Sequence, residues 1–305
     1  MKLWLASLLL ASVCAQAVEF VDDRDRRHAF ATPPLRVATL APSLTELLFA
    51  AGAGSRLVAT VVGSNHPVEA RQVVSVGDYQ RIDVERLLRL KPDLVLVWPS
   101  GNSQRELAQL DAAGIAVVHL EPRRLGDVAR SIERLGELFG TQAAAHASAR
   151  LLRDELAALE RENAGKTAVR VFYQVWSRPL LTLNDDHLIS DVLRLCGGRN
   201  VFGTLSALVP EVSIEAVLAA KPEIVLSARE SASAGAPGAR REPASPTFHA
   251  WREFRSSMPA VARGWMFTLP GDEISRQGPR IAGGARAVCA ALDSVRRERD
   301  LPTKP

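Results

Sequence analysis

The stretch IDVERLLRLKPDLVLV, Ile82–Val97, returns as VSIEAVLAAKPEIVLS at Val212–Ser227. Six of the sixteen aligned positions are identical, namely Glu, Leu, Lys, Pro, Val and Leu in that order. Both copies read the same way. Asp83 or Ser213 stands where an N-cap side chain accepts from free backbone N–H groups, and a short helix follows. Pro92 or Pro222 cannot continue that helix, and the aliphatic run behind it reads as a buried strand. A unit repeated once, at a spacing of 130 residues, marks a duplicated lobe. Solenoid repeats recur every 20–50 residues or about that.

Upstream of the first copy, LRVATL (Leu35–Leu40), RLVATVV (Arg56–Val62) and VVSV (Val73–Val76) read as strands. Between the first two, Ser43 reads as an N-cap with Glu46 completing a capping box, and Gly52 stops the helix. Downstream come a helix over Arg105–Ala113, the strand IAVVHL (Ile115–Leu120) and a helix over Leu125–Phe139. Thr141–Asn163 holds no Gly or Pro and predicts one long helix. After Gly165 the alternation resumes with AVRVFYQVW (Ala168–Trp176), a helix ending at Cys196, the second copy, a strand near Trp265–Leu269 and a helix over Pro279–Arg297. Ser231–Pro246 reads as a loop from its Gly, Pro and Ser content. The order predicts an α/β fold of two similar lobes, residues 34–140 and 167–300, each around a mostly parallel sheet. One long α-helix, residues 141–164, joins them, with a ligand cleft between the lobes.

The chain has 305 residues, a net charge of +4 and 24% charged residues, with acids interspersed among the bases. Its two arginine-rich runs, Asp22–Arg27 and Arg296–Arg299, read as solvated ends. No basic stripe with interleaved aromatics is present, which argues against nucleic acid as a partner. The first residues, MKLWLASLLLASVCAQA, carry Lys2, an apolar Leu3–Val13 and the small-residue site Ala15-Gln16-Ala17, the pattern of a signal peptide spanning 1–17. Cys14 raises a lipid-anchor alternative, but Val13 before it is not the small residue that processing requires, so cleavage after Ala17 is expected. The mature chain is then expected to be exported and soluble. Its two cysteines, Cys196 and Cys289, form a disulfide or remain as two buried thiols, and an oxidising compartment favours the bridge.

Enzyme signatures are missing. There is no Gly-rich dinucleotide or phosphate loop, no Gly-x-Ser-x-Gly elbow and no His-Glu-x-x-His. His28, His66, His119, His146, His187 and His249 show no metal-ligand spacing, and Asp185-Asp186-His187 reads as a helix start. No catalytic residue or metal site is nominated, which leaves an exported α/β enzyme as a distant alternative. Glu85 and Glu215 sit two residues past their caps; either the helix dipole retains them or they form a pair of anionic pegs for a partner. Among scarce aromatics, Tyr79 precedes the first repeat helix, Trp98 follows its strand, and Trp176 ends the first strand of the second lobe. Each is core, or together they grip a flat ligand at the strand ends.

Long segments in a fixed order also carry a resemblance. RVATLAPSLTELLFAAG (Arg36–Gly52), GNSQRELAQLDAAGI (Gly101–Ile115), LRLCGGRNVF (Leu193–Phe202), GPRIAGGARAVCAAL (Gly278–Leu292) and both repeat copies resemble the helical-backbone class of periplasmic substrate-binding proteins. That class serves ABC importers of cobalamin, haem and ferric siderophores, and the cobalamin branch is the most similar. The resemblance covers nearly all of the mature chain. It implies a monomer with no cofactor that carries cobalamin or a related corrinoid to an inner-membrane ABC permease dimer with its ATPase. In that branch a glutamate on each lobe tip pairs with permease arginines, and these positions match Glu85 and Glu215; its disulfide matches Cys196 and Cys289. The ligand-binding set expected here is Ser43, Gly63, His66, Tyr79, Trp98, Trp176, Asp272, Glu273 and Arg276. The match is incomplete. Tyr79 replaces a tryptophan, Gly63 stands where the branch can carry a tyrosine, Val209 where it can carry a tryptophan, and Glu273-Ile274 where it has an aromatic pair. Haem or a ferric siderophore is therefore the alternative ligand: haem would use Tyr79 or His66 as an axial ligand, and a siderophore would need an arginine cluster around Arg276.

Overall fold

The computed structural model describes residues 17–229 and 238–299. The signal segment up to Gln16, Cys14 included, and residues 231–237 of the expected loop lie outside that range.

The chain opens with an antiparallel hairpin, β1 (Val18–Val21) and β2 (Arg27–Phe30). Four strands then form the first lobe: β3 (Val37–Thr39), β4 (Leu57–Ala59), β5 (Leu94–Val97) and β6 (Ala116–His119). They pair in parallel in the order β4-β3-β5-β6. Their near-continuous burial follows from helices covering both faces. The helices are α1 (Pro42–Ala50), α2 (Val84–Arg89), α3 (Gln104–Ala112) and α4 (Leu125–Phe139). Next comes α5 (Gln142–Asn163), 22 residues long and so about 33 Å at 1.5 Å per residue.

The second lobe contains β7 (Val169–Gln174), the hairpin β8 (Trp176–Ser177) and β9 (Leu180–Leu181), α6 (Leu188–Leu195) and β10 (Gly198–Asn200). It continues with α7 (Ile214–Ala220), β11 (Ile224–Arg229), β12 (Arg240–Arg241), α8 (Pro259–Ala262), β13 (Met266–Pro270), α9 (Gly271–Ile274) and α10 (Ile281–Arg299). Its sheet runs β10-β7-β11-β13-β12, parallel except for β12.

The duplication reaches further than the quoted repeat. In both copies the N-cap side chain accepts from a backbone N–H of the helix's first turn, Arg86 for Asp83 and Ala216 for Ser213. Each helix closes on a lysine with positive φ, +48° at Lys91 and +44° at Lys221, before the proline. The turn is then clamped by an arginine at the start of its own lobe's sheet, Arg36 just before β3 or Arg170 within β7. Arg36 donates to the carbonyls of Leu90 and Lys91, while Asp93 accepts from the Leu35 and Arg36 backbones. Arg170 donates to the carbonyls of Ala220 and Lys221, while Glu223 accepts from the Arg170 backbone.

One apolar core runs through both lobes, from Leu47 and Leu94 through Leu135, Ala145 and Leu152 to Val171, Leu226 and Leu292. The layer between the sheets is therefore α4, α5 and α10. Gly136 lets α5 lie close on α4, since a Cβ there would stand 2.3 Å from that of Ala145. Cys196, at the end of α6, is bridged to Cys289 of α10, closing a loop of 93 residues.

Four sequence expectations need correction. Val73–Val76 is no strand; only a bridge between Thr60 and Ser75 remains. The segment read as loop contains β12, which pairs with β13. The arginine-rich runs are solvated only in part: Asp23–Arg27 is exposed at the β1–β2 turn, as expected, but Asp22 before it is buried, and Arg296 binds the Cys196 and Thr167 carbonyls from within α10. Ser43 caps nothing, because α1 begins a residue earlier at Pro42, and Glu46 faces the other lobe.

Candidate ligand-binding site

The carboxyl ends of parallel strands are where an α/β sheet leaves its loops free to meet a ligand. At the end of β5 the chain turns through Trp98-Pro99-Ser100-Gly101-Asn102. Asn102 fixes this turn. Its Oδ1 accepts from the Trp98 backbone N–H at 2.7 Å, and its Nδ2 donates to the carbonyls of Leu40 and Tyr79 at 2.8 and 2.7 Å. The indole of Trp98 lies directly on Gly101, where any Cβ would stand 1.9 Å from a ring carbon. Its Nε1 donates to Glu121 at 3.2 Å, and Ser100 donates to the same carboxylate oxygen. Tyr79 sits against this indole with ring centroids 5.9 Å apart and planes tilted by 49°. Sequence reasoning found both rings but missed Asn102, Gly101 and Glu121, which fix their orientation. The only local signal was a glycine and an asparagine within four residues of the tryptophan.

On the second lobe β7 ends at Gln174, and the β8–β9 hairpin presents Trp176, 58% exposed. Its Nε1 donates to the Arg178 carbonyl at 3.0 Å. The hairpin and the ends of β11 and β13 border a cavity of about 750 Å³ lined by Trp176, Arg178, Arg229, Arg240, Glu242 and Thr268, among others. Gln174 walls it off from Trp251, whose Nε1 donates to Gln174 Oε1 at 2.6 Å.

The lobes are tied together by charge. Glu46, with a fully buried carboxylate, accepts from Arg276 Nη1 at 2.8 Å and from Arg280 Nη2 and Nε at 2.6 and 3.0 Å. Arg276 also donates to Asn65 Oδ1, to the Gly63 carbonyl and to Asp272, and Asn65 donates to Asp272 at 3.1 Å. Burial alone would pull Arg280 down, but the hydrogen bond and charge of Glu46 hold it above the ordinary guanidinium value. A second tie joins Arg124 to Asp191 at 2.6 Å.

The remaining expected residues fall around this first tie. Arg276 and Asp272 are spent on it. Ser43 is buried in the first turn of α1, one turn before Glu46. Gly63 takes φ +87°, a left-handed conformation that a side chain disfavours, which suits the glycine found there. His66 is exposed beside the tie, and partial burial together with Arg280 keeps it below the usual imidazole value. Glu273 folds away onto α10, where a Cβ on Gly283 would stand 2.4 Å from its Oε2. Glu85 and Glu215 lie exposed on the first turns of α2 and α7. Among the described residues, no group of three or more His, Cys, Asp or Glu side chains is arranged to hold a metal.

Residues 37–273 match the model of the periplasmic binding protein family. The chain belongs to that family. It is 34% identical over 267 residues to a vitamin B12-binding protein of Vibrio parahaemolyticus, covering 88% of this chain and 92% of that one. It is 37% identical to a vitamin B12-binding protein of Photorhabdus laumondii, covering 87% and 90%. The crystal structure of the periplasmic vitamin B12 binding protein BtuF of Vibrio cholerae superposes with a TM-score of 0.75 at 32% identity, covering 87% of this chain and 99% of that one. A periplasmic haem-binding protein of Roseiflexus shares the fold with a TM-score of 0.71 at 20% identity. The two-lobe α/β architecture and the expected disulfide are thus both present. Among the described residues, no helix is long and apolar enough to cross a membrane.

Proposed function

We propose that this protein captures cobalamin or a related corrinoid in the periplasm and hands it unchanged to an ABC import permease. The observation that carries the reading is the Tyr79–Trp98 pair, locked at the carboxyl end of the first lobe's sheet in a chain 34% identical to a vitamin B12-binding protein. A corrinoid is a broad, nearly flat macrocycle, and fixed aromatic faces bind such a surface with little loss of side-chain entropy. Trp176 offers a further indole on the opposite lobe. A siderophore fits less well around Arg276, because Glu46 and Asp272 already neutralise the guanidinium groups there.

Delivery needs a docking surface rather than chemistry. Glu85 and Glu215 occupy equivalent positions of the duplicated unit, and both are exposed. Backbone and Ser213 hydrogen bonds hold Glu215 below the usual carboxylate range, so it is charged at neutral pH. Two like charges on matching lobes suit a permease dimer carrying arginines at matching points. The continuous core and the Glu46 tie keep the lobes nearly fixed, so binding changes their angle by only a few degrees.

The test is a titration of the mature protein with cyanocobalamin, and separately with haemin, followed by tryptophan fluorescence. Saturable quenching by the corrinoid that is lost in Trp98→Ala is expected. A haemin response with no corrinoid response would refute the ligand assignment. Replacing Glu85 and Glu215 together by alanine should abolish uptake into cells while corrinoid affinity stays within two-fold or so; weakened affinity would place them in the pocket instead.

A further inference from the structure

The match to the family begins at residue 37, so the β1–β2 hairpin stands ahead of it. The hairpin is nonetheless built into the first lobe. Phe20 is buried in the core, Val18 and Phe30 pack against that core, and the Arg134 guanidinium of α4 lies 4.9 Å over the Phe20 ring. β6 is an edge strand, whose outward backbone groups need partners. The hairpin turn supplies them. Asp22 Oδ2 accepts from the His119 N–H at 3.1 Å, and the Asp23 N–H donates to the His119 carbonyl at 2.9 Å. Just past the strand, Asp23 Oδ2 accepts from the Glu121 N–H at 2.7 Å. Asp23 is itself braced: Arg134 Nη1 donates to its Oδ1 at 2.6 Å, and Nη2 donates to the Val21 carbonyl.

Glu121 carries this order to the ligand site. Its carboxylate accepts from Trp98 Nε1 at 3.2 Å and from the Ser100 hydroxyl, both on the loop after β5. Gly101 gives the indole a flat seat, and the Nε1 bond decides which way the ring points on that seat. Resting on the corrinoid reading above, we infer that the amino-terminal hairpin is a positioning element of the ligand site. Asp23, braced by Arg134, sets the Glu121 backbone, and Glu121 sets the direction of the Trp98 indole. A ring fixed before the ligand arrives has less freedom left to lose on binding. Asp23 and Arg134 thus act on affinity through Trp98, without touching the ligand.

A double-mutant cycle tests this. Asp23→Ala removes the acceptor for Glu121, while Asp22 keeps the turn bonded to His119. Trp98→Phe keeps an aromatic face and removes the Nε1–H. Wild type, both single variants and the double variant would be titrated with cyanocobalamin by calorimetry, with thermal melting to verify the fold. Asp23→Ala is expected to weaken binding about five-fold in the wild-type background and less than about two-fold beside Trp98→Phe. Equal losses in both backgrounds, or none in either, would overturn the inference. Should Asp23→Ala prove unstable, Asp23→Asn repeats the cycle, since it leaves one oxygen where two donors now use two. Near-ultraviolet circular dichroism without ligand reads the positioning alone: the band lost in Trp98→Phe should also weaken in Asp23→Ala. If that band weakens while wild type binds haemin and not cyanocobalamin, the corrinoid reading fails and the hairpin's role stands, with the cycle run on haemin. An unchanged band would refute the hairpin's role whichever ligand binds.

Discussion

Replacing Glu46 by alanine should destabilise the protein more than any surface change. The carboxylate is completely buried and accepts three hydrogen bonds from two guanidinium groups of the other lobe, whose side chains are only 11% and 23% exposed. Removing it leaves both cations close together, partly dehydrated, with Asp272 as the remaining nearby acid. Breaking a buried ion pair by deleting one partner costs about 3–5 kcal/mol. For a chain of this size that corresponds to a fall in melting temperature of roughly 5–10 °C. Glu46→Gln keeps the shape and part of the hydrogen bonding, so its loss should be smaller. Equilibrium urea denaturation and calorimetry of both variants would measure this, with Glu85→Ala as an exposed control expected to move by less than about 0.5 kcal/mol. If Glu46→Ala lost less than about 1 kcal/mol, the tie would be no determinant of how the lobes are held.

Two further outcomes follow from the geometry. Asp22 has no exposed side-chain surface and accepts from the backbones of Arg24, Arg26 and His119 and from the rings of His28 and His119. Burial would raise it, but those hydrogen bonds win and bring its pKa down from 3.8 to about 2. The folded value lies below the unfolded one, so its contribution, about 2–3 kcal/mol, is complete above pH 4 or so and disappears as the pH falls through about 2. Asp22→Asn should therefore be less stable at neutral pH and lose that part of the acid transition; an unchanged acid denaturation curve would contradict it. Gly101→Ala should push Trp98 off its seat, altering the near-ultraviolet dichroism and weakening corrinoid binding about ten-fold, and a wild-type spectrum would show that the indole does not depend on that glycine.

The sequence by itself determined the repeated helix–turn–strand unit, the long connecting helix and the parallel sheets. Each is written locally, the repeat as a cap residue, a proline and an aliphatic run, the long helix as a stretch without Gly or Pro. The same signals misled where a residue served a distant partner. Glu46 has the spacing of a capping-box acid, yet its partners lie 230 and 234 positions away. Asp22 sits in a run of charges whose other members are exposed, yet it is buried against His119, 97 positions on, as well as against its own hairpin. Tyr79 and Trp98 were legible as strand-end aromatics, while the grip of Asn102, Gly101 and Glu121 on them was not, since the bonds depend on how three loops converge. Arg178 of the β8–β9 hairpin lines the same second-lobe cavity as Arg229 of β11, 51 positions on, a juxtaposition that only the finished sheet produces. Backbone conformation is decided by near neighbours; the charge environment of a side chain is decided by whatever the fold puts beside it.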